Sequence, residues 1–230
     1  MEEAVVTDAR ERFLGRVREA LAARGQPGQA KAIPPRGAIG YQGAGPDPVE
    51  RFCEELTAAG GRPHRANDRA AAVAIICEIV KQTNSKRILL GQGNFIDSLD
   101  LASALGRCGA DGVRAGDLAA GSNREQLFGA DLGITGVRAA IAETGSLALA
   151  SGPDEPRSFS LLPPIHIAVV ERSQLVADLF DLSDLFPGPW PELPSCLSLI
   201  TGPSKTGDIE LRLVTGVHGP GELHVVVVSD

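Results

Sequence analysis

From residue 47 onward, short apolar runs alternate with stretches in which apolar residues recur at helical spacing. The apolar runs predict buried strands over residues 87–91, 165–170, 197–200 and 224–228. The helical spacing predicts helices that begin at Asp47 and at Ser173 and helices over residues 67–81, 97–105 and 208–215. Residues 137–150 predict a hairpin or a sharply bent strand. This alternation predicts an α/β fold with a mostly parallel sheet covered by helices on both faces.

The first part of the chain has a different pattern. Residues 1–24 predict an amphipathic helix, because Phe13, Leu14, Val17 and Leu21 fall on one stripe. Residues 25–47 are rich in proline and glycine and predict a linker or a wrapping arm. Residues 48–230 then form the main domain, to which the helix is an N-terminal arm.

Composition excludes several classes of function. The net charge of −7, with one Trp and one Tyr, argues against a nucleic-acid partner, which usually needs a cationic surface and aromatic platforms. The longest apolar run, residues 70–77, is far short of the ~20 residues that span a bilayer. The acidic start is unlike a signal peptide. We therefore expect a cytoplasmic protein without a membrane span.

The cysteines give no sign of a metal site. Cys53, Cys77, Cys108 and Cys196 are far apart in sequence and form no CxxC pair. Three of them lie in or beside apolar helical patterns, which is typical of reduced, buried thiols. We expect no metal and no iron–sulfur cluster in this chain.

The strongest candidate for a ligand site is the loop of residues 201–208, between a predicted strand and a predicted helix. Gly202 lets the backbone approach a ligand, Ser204 and Thr206 offer hydroxyls, and Lys205 adds charge beside a helix start. This predicts a site for a small anion such as phosphate or carboxylate. The alternative is that Ser204, Thr206 or Asp208 only caps the helix. The GxxxxGK[ST] spacing of a nucleotide-hydrolysing loop is absent.

Two further loops follow predicted strands, and ligands in such sheets gather beyond the carboxyl ends of strands. The loop 91–95 is glycine-rich, and a structural turn is favoured there over ligand contact. In the other loop, Glu143 lies between two apolar stretches and is a candidate catalytic acid, base or nucleophile, with Thr144 and Gly145 beside it. The alternative, favoured by sequence alone, is a turn at Thr144–Gly145 with Glu143 exposed at its shoulder.

The four histidines show no metal-ligand spacing. His64 is expected at the surface, and His224 begins a strand. His166 also begins a strand, and this position favours a core histidine. His218 lies on a Gly/Pro loop shortly after the 201–208 loop and is the best candidate for the site.

These loops carry a family resemblance. Residues 142–146 (AETGS), 161–167 (LLPPIHI), 201–210 (TGPSKTGDIE) and 216–220 (GVHGP) resemble the LutC/YkgG family of lactate-utilisation proteins, which carry a LUD domain. The resemblance covers about residue 48 to the end of the chain. One departure is Lys205, where arginine is usual. Lysine keeps the charge but loses the bidentate fork.

The resemblance implies a fold like that of the NagB/RpiA/CoA-transferase group. It also implies a role in oxidising L-lactate to pyruvate, together with two partner proteins (LutA- and LutB-like) that carry iron–sulfur clusters. The chain has no visible electron carrier of its own, so it should not oxidise lactate alone. Two alternatives stay open: a stand-alone CoA-transferase-like or phosphosugar-isomerase-like enzyme that uses Glu143, and a non-catalytic regulatory or scaffolding module.

Overall fold

The computed structural model describes residues 2–23, 43–118, 123–185, 194–209 and 212–229. The chain divides into two units, Met1–Tyr41 and Gln42–Asp230. In the first unit, helix α1 covers Glu2–Ala23 and exposes Phe13 and Val17 on its surface. Most of the predicted linker, residues 24–42, lies outside the described residues.

The second unit is built around a sheet of six parallel strands, in the order β1-β12-β7-β4-β2-β3. The strands are β1 (Arg62–Ala66), β2 (Arg87–Leu90), β3 (Asp111–Val113), β4 (Leu132–Thr135), β7 (Ile165–Glu171) and β12 (Glu222–Val228). The central strands are buried runs of Ile, Leu and Val, as expected when both faces of a parallel sheet are covered.

Helices cover both faces of this sheet, which confirms the predicted α/β architecture. They are α2 (Pro48–Ala58), α3 (Arg69–Gln82), α4 (Asn94–Ser98), α5 (Leu101–Arg107), α6 (Asn123–Phe128) and α7 (Ser158–Leu161). One face packs on α3, α4 and α5, and the other packs on α2, α6 and α7. The start of α2 is fixed as predicted, because Asp47 Oδ1 accepts the N–H groups of Val49 and Glu50 at 3.0 and 3.2 Å.

A second sheet of four strands, in the order β8-β5-β6-β9, lies against α2. Its strands are β5 (Ala139–Ile141), β6 (Ser146–Ser151), β8 (Leu175–Val176) and β9 (Cys196–Ile200). Strands β5 and β6 are antiparallel, which confirms the predicted hairpin. Phe52 and Leu56 of α2 share one core cluster with Leu147 of β6 and with Val170 and Val225 of the main sheet. The second sheet therefore thickens one side of the domain.

Three predicted helices are wrong. Residues 208–209 and 212–215 belong to an antiparallel pair of strands, β10 (Lys205–Ile209) and β11 (Arg212–Thr215), whose β-branched residues suit strands better than a helix. The chain after Ser173 forms short 3-10 turns around β8, because Leu175 and Val176 pair with β5. The helix over 97–105 is two helices, since Asp100 takes a left-handed conformation with φ of 46°.

Candidate functional site

A cleft of about 610 Å³ lies beyond the ends of β2, β4 and β7, and we name it the carboxyl-end cleft. Parallel strands bring their carboxyl ends to one edge of the sheet, where loops from different strands meet. The charged and amide side chains that line it are Arg69, Gln92, Asn94, Arg138, Glu155, Glu171 and Gln174.

The glycine-rich loop 91–95 forms one wall of the carboxyl-end cleft. Gly91 donates its N–H to Ile134 O at 2.8 Å. A Cβ at Gly91 would lie 2.8 Å from Glu155 Oε1 and 3.2 Å from Ile134 O. Residues 91–93 form an irregular connection into α4, and Gly91 lets Glu155 pack closely against the ends of two central strands.

Glu155 is the most strongly perturbed carboxyl group of the cleft. Its Oε1 accepts the N–H of Gly136 at 2.9 Å. Burial raises the pKa of Glu155 to about 7, and the hydrogen bond from Gly136 offsets this only in part. Glu155 is therefore poised to exchange a proton near neutral pH. No sequence pattern predicts this role for Glu155, because residues 152–156 indicate only a turn and nothing in them marks the burial of one acid.

Cations and fixed amides complete the carboxyl-end cleft. The guanidinium of Arg69 stands 5.6 Å from the centroid of the Phe95 ring, and Arg138 Nη2 donates to Leu185 O at 3.0 Å. Gln174 Nε2 donates to Val137 O at 2.6 Å, while its Oε1 accepts the N–H of Glu171 at 2.8 Å. The cleft thus pairs positive charge with a proton-exchanging carboxyl group, which suits a small molecule that bears a carboxylate.

Four of the nine predicted site residues lie around a different site, a cavity of about 280 Å³ at the amino ends of β7 and β12, which we name the amino-end cavity. Gly202, Ser204, Lys205 and His218 line it together with His166. The expectation that the 201–208 loop follows the carboxyl end of the parallel sheet is wrong. The loop follows β9, which belongs to the second sheet.

The predicted helix start behind the 201–208 loop is also wrong, since β10 begins at Lys205. Lys205 Nζ instead donates to Ala59 O at the C-terminal end of α2, where a cation is favourable. Gly202 packs on the same end of the helix: its added Cβ would lie 2.4 Å from Ala59 O. Ser204 Oγ accepts the N–H of His218 at 3.3 Å. An anion-binding role for these residues stays a prediction.

The remaining residues of the loop lie on β10. Thr206 pairs with Val214 of β11. The backbone of Asp208 also belongs to β10, but its side chain lies outside the described residues. Neither residue caps a helix, because the helix that was expected there is a pair of strands.

Glu143, Thr144 and Gly145 form the turn between β5 and β6. Gly145 has φ of 62° and packs on α2, where an added Cβ would lie 2.3 Å from Leu56 N. Glu143 is half-buried, donates its N–H to Ala177 O at 3.1 Å, and lines neither the cleft nor the cavity. A catalytic role for Glu143 stays a prediction.

A short chain of hydroxyl groups links this turn to the 201–208 loop. Thr144 Oγ1 donates to Ser146 Oγ at 2.8 Å, and Ser146 Oγ lies 2.6 Å from Thr201 Oγ1. Thr201 lines the amino-end cavity. The turn and the loop are thus joined to each other and to α2, although they lie far apart in sequence.

His166 is fully buried at the amino end of β7. Its Nε2 lies 2.8 Å from Thr135 Oγ1, and burial lowers the pKa of His166 to about 4, so the ring is neutral at pH 7. Its Nδ1 has no hydrogen-bond partner in the described part of the chain. The structure places His166 in the core, as its position in the strand indicated.

Within the described ranges, no group of three or more His, Cys, Asp or Glu side chains is arranged to hold a metal ion. All four cysteines are free thiols. Among the described helices, none is both long and apolar enough to cross a bilayer.

Comparison with known proteins gives a consistent assignment. The sequence model of the LUD domain matches residues 49–228. Lactate utilization protein C of Halalkalibacterium halodurans is 34% identical over 159 residues, 67% of this chain and 68% of that protein. Lactate utilization protein C of Bacillus subtilis is 42% identical over 104 residues, 44% of this chain and 43% of that protein.

A solved structure shows the same fold. A DUF162 family protein from Deinococcus radiodurans superposes with a TM-score of 0.58 and 24% identity, covering 79% of this chain and 96% of that one. The architecture described above, a mostly parallel six-stranded sheet with helices, is therefore one already seen in a natural protein.

Proposed function

This chain belongs to the LUD domain family, and on that basis we propose that it takes part in lactate utilisation. The name of the relatives from Halalkalibacterium halodurans and Bacillus subtilis supports this proposal. The match spans 68% of the first relative and 43% of the second. An activity of either full-length relative is therefore assigned to this chain only as part of this proposal.

In this proposal the chain supports the oxidation of L-lactate to pyruvate in the cytoplasm, together with LutA- and LutB-like partner proteins. Removing two electrons from lactate requires a redox cofactor. The residues of this chain do not fit an iron–sulfur cluster, which needs about four cysteine thiolates around one centre. Cys53 is buried on α2, and Cys196 begins β9. Cys77 on α3 interacts with Cys108 at the end of α5. The clusters are therefore assigned to the partners.

The role proposed for this chain is to bind the small carboxylate. The observation that carries it is the carboxyl-end cleft, where Arg69 and Arg138 stand beside amide groups at the end of a parallel sheet. An arginine guanidinium can hold a carboxylate through two parallel N–H···O bonds. The volume of about 610 Å³ leaves room for lactate and for a group of a partner protein that would accept the electrons.

The test is affinity purification of the tagged full chain from lactate-grown native cells. We expect the eluate to contain cluster-bearing partners and to reduce a dye in the presence of L-lactate. Arg69→Gln should retain the partners and lower lactate-dependent dye reduction at least tenfold, since a hydrogen bond to a charged group contributes roughly 1.5–3 kcal/mol.

Arg107→Gln is the matched control, because Arg107 is an exposed arginine in the last turn of α5, away from the residues that line the cleft. It should behave like the wild type. A chain that elutes alone and without activity would overturn the proposed complex. Full activity in Arg69→Gln would overturn the cleft as the lactate site.

A further inference from the structure

We propose that Glu155 meets the ligand as a neutral carboxylic acid, so that a small carboxylate anion and one proton enter the carboxyl-end cleft together. This inference rests on the proposed function, which places the carboxylate in the same cleft. It adds a chemical condition on binding: the anion is held between arginine and a protonated acid, and its affinity depends on pH.

The two carboxyl oxygens of Glu155 have different surroundings. Oε1 accepts the N–H of Gly136 at 2.9 Å and sits against Gly91, where a side chain would collide with it. Oε2 has no hydrogen bond within the part of the chain that the structure describes. One oxygen is thus anchored as an acceptor, and the other is left to carry a proton and donate it to a ligand.

The charges around Glu155 leave it without a counter-ion. Arg69 and Arg138 line the same cleft, yet no ion pair joins Glu155 to a cation among the described residues. Other charged groups nearby are Glu171, which lines the cleft and accepts the Ser173 hydroxyl at 2.8 Å, and the sequence neighbours Asp154 and Arg157. Burial is the largest influence on Glu155 and raises its pKa to about 7.

The ionised form of Glu155 disfavours a bound anion, and the protonated form favours it. An ionised Glu155 repels a carboxylate and has no proton to share. A neutral Glu155 donates a short, charge-assisted O–H···O⁻ bond. The arginines then neutralise the ligand. The anion therefore selects the protonated form, and above pH 7 each binding event takes one proton from solvent.

Proton uptake can be measured directly. The full-length chain is titrated with pyruvate and with L-lactate by isothermal titration calorimetry, in buffers of different ionisation enthalpy. With a pKa of about 7, we expect uptake of about 0.9 proton per ligand at pH 8 and about 0.1 at pH 6. The dissociation constant should rise about tenfold per pH unit well above pH 7 and stay flat below it.

Glu155→Gln tests the assignment to this residue. The amide keeps an acceptor for Gly136 and a donor for the ligand but stays neutral, so proton uptake should vanish and the affinity should not change between pH 6 and pH 8. Glu54→Gln, the same substitution at an exposed acid of α2, should keep the wild-type profile.

The outcomes separate this inference from the function on which it rests. Carboxylate binding without proton uptake, or the same uptake in Glu155→Gln, would overturn the role of Glu155 and leave the cleft as the carboxylate site. No binding of either carboxylate by the wild-type chain would overturn both the cleft assignment and this inference. Copurification with cluster-bearing partners would then still test the proposed complex separately.

Discussion

The carboxyl-end cleft and the amino-end cavity lie at opposite ends of the same parallel sheet, and they differ in how fully their polar side chains are hydrogen-bonded. At the amino end, Lys205 is bonded to Ala59 O, Ser146 to Thr201, and Ser204 to the backbone of His218. At the carboxyl end, Glu155 keeps one oxygen without a bond among the described residues. Residues of the expected chemical type therefore gather at the amino end, where His166 Nδ1 is without a partner among the described residues, while the carboxyl group with an unbonded oxygen lies at the carboxyl end.

At the amino end, contacts of Gly145, Gly202 and Lys205 fasten a turn and a loop to the C-terminal end of α2, and we name this set of contacts the joint. The turn at Gly145 and the loop at Gly202 both press on the last turn of this helix, and Lys205 bonds its last carbonyl. Each contact closes a long stretch of chain. If this interpretation is correct, substitutions at the amino end should change stability, and substitutions in the cleft should change binding.

The largest expected effect is a loss of stability when a residue of the joint is substituted. Gly145→Ala places a Cβ 2.3 Å from Leu56 N at a residue with φ of 62°. Because both backbones must move, we expect the free energy of unfolding to fall by about 3 kcal/mol. Urea unfolding measures this loss. Pyruvate titration at a temperature where the variant is folded should give the wild-type affinity.

Gly106→Ala is the matched control. Gly106 lies inside α5, and nothing stands within 4 Å of an added Cβ there. Alanine has a higher helix propensity than glycine, so the free energy of unfolding should rise by about 0.5–1 kcal/mol. Equal losses of stability in the two alanine variants would contradict the joint.

This contrast was only partly predictable from sequence. The parallel sheet, three of its six strands (β2, β7 and β12) and the Asp47 cap follow from local sequence patterns and were predicted, whereas β1, β3 and β4 were not. The 201–208 loop was assigned to the wrong end of the sheet, because sequence does not show that β9 belongs to a second sheet. Glu155 was missed, because its perturbation arises from burial between Gly91 and Gly136, which come from other strands.

The second expected effect is a pair of opposite pH dependences of stability. His166 has a pKa of about 4 when folded against an ordinary 6.5, so the unfolded chain binds more protons between these values. Its contribution is complete above pH 6.5 and is lost as pH falls towards 4, by about 3 kcal/mol.

The pKa of Glu155 is raised from 4.5 to about 7, so the folded chain binds more protons than the unfolded chain between these values. Its contribution is fully present below pH 4.5 and is lost as pH rises from 4.5 to about 7, by about 2 kcal/mol after allowance for partial exposure.

Urea unfolding between pH 4.5 and pH 8.5 separates the two groups. In the wild type the two opposite slopes overlap between about pH 4.5 and 6.5 and largely cancel. His166→Gln should therefore make stability fall as pH rises from about 4.5 to 7, and Glu155→Gln should make stability rise from about pH 4.5 to 6.5 and increase stability at pH 8. The slope is the readout, since either substitution can shift the whole curve. His218→Gln, at an exposed histidine, should keep the wild-type slope. Curves that stay parallel in all variants would contradict these assignments.

The smallest expected effect distinguishes the two interpretations of Lys205. Lys205→Met removes the ammonium from the C-terminal end of α2 and should lower the free energy of unfolding by about 1 kcal/mol. Binding of pyruvate and phosphate should not change, whereas the anion loop predicted from sequence requires binding to weaken. Lys86→Met, at an exposed lysine, is the control for loss of charge. Weakened anion binding at unchanged stability would restore the 201–208 loop as the ligand site.

The sequence by itself determined the α/β class, three of the six parallel strands (β2, β7 and β12) and the resemblance to the LUD domain family. These features depend on near neighbours: apolar periodicity, capping residues and short motifs. Only the tertiary structure decided which loops meet and which polar groups are buried. Both depend on strand order and on contacts such as those of Gly145 with Leu56 and of Gly136 with Glu155, which join residues far apart in sequence or in different elements. A carboxyl group becomes a proton donor near pH 7 through desolvation, and desolvation is a property of the packed molecule rather than of the residue.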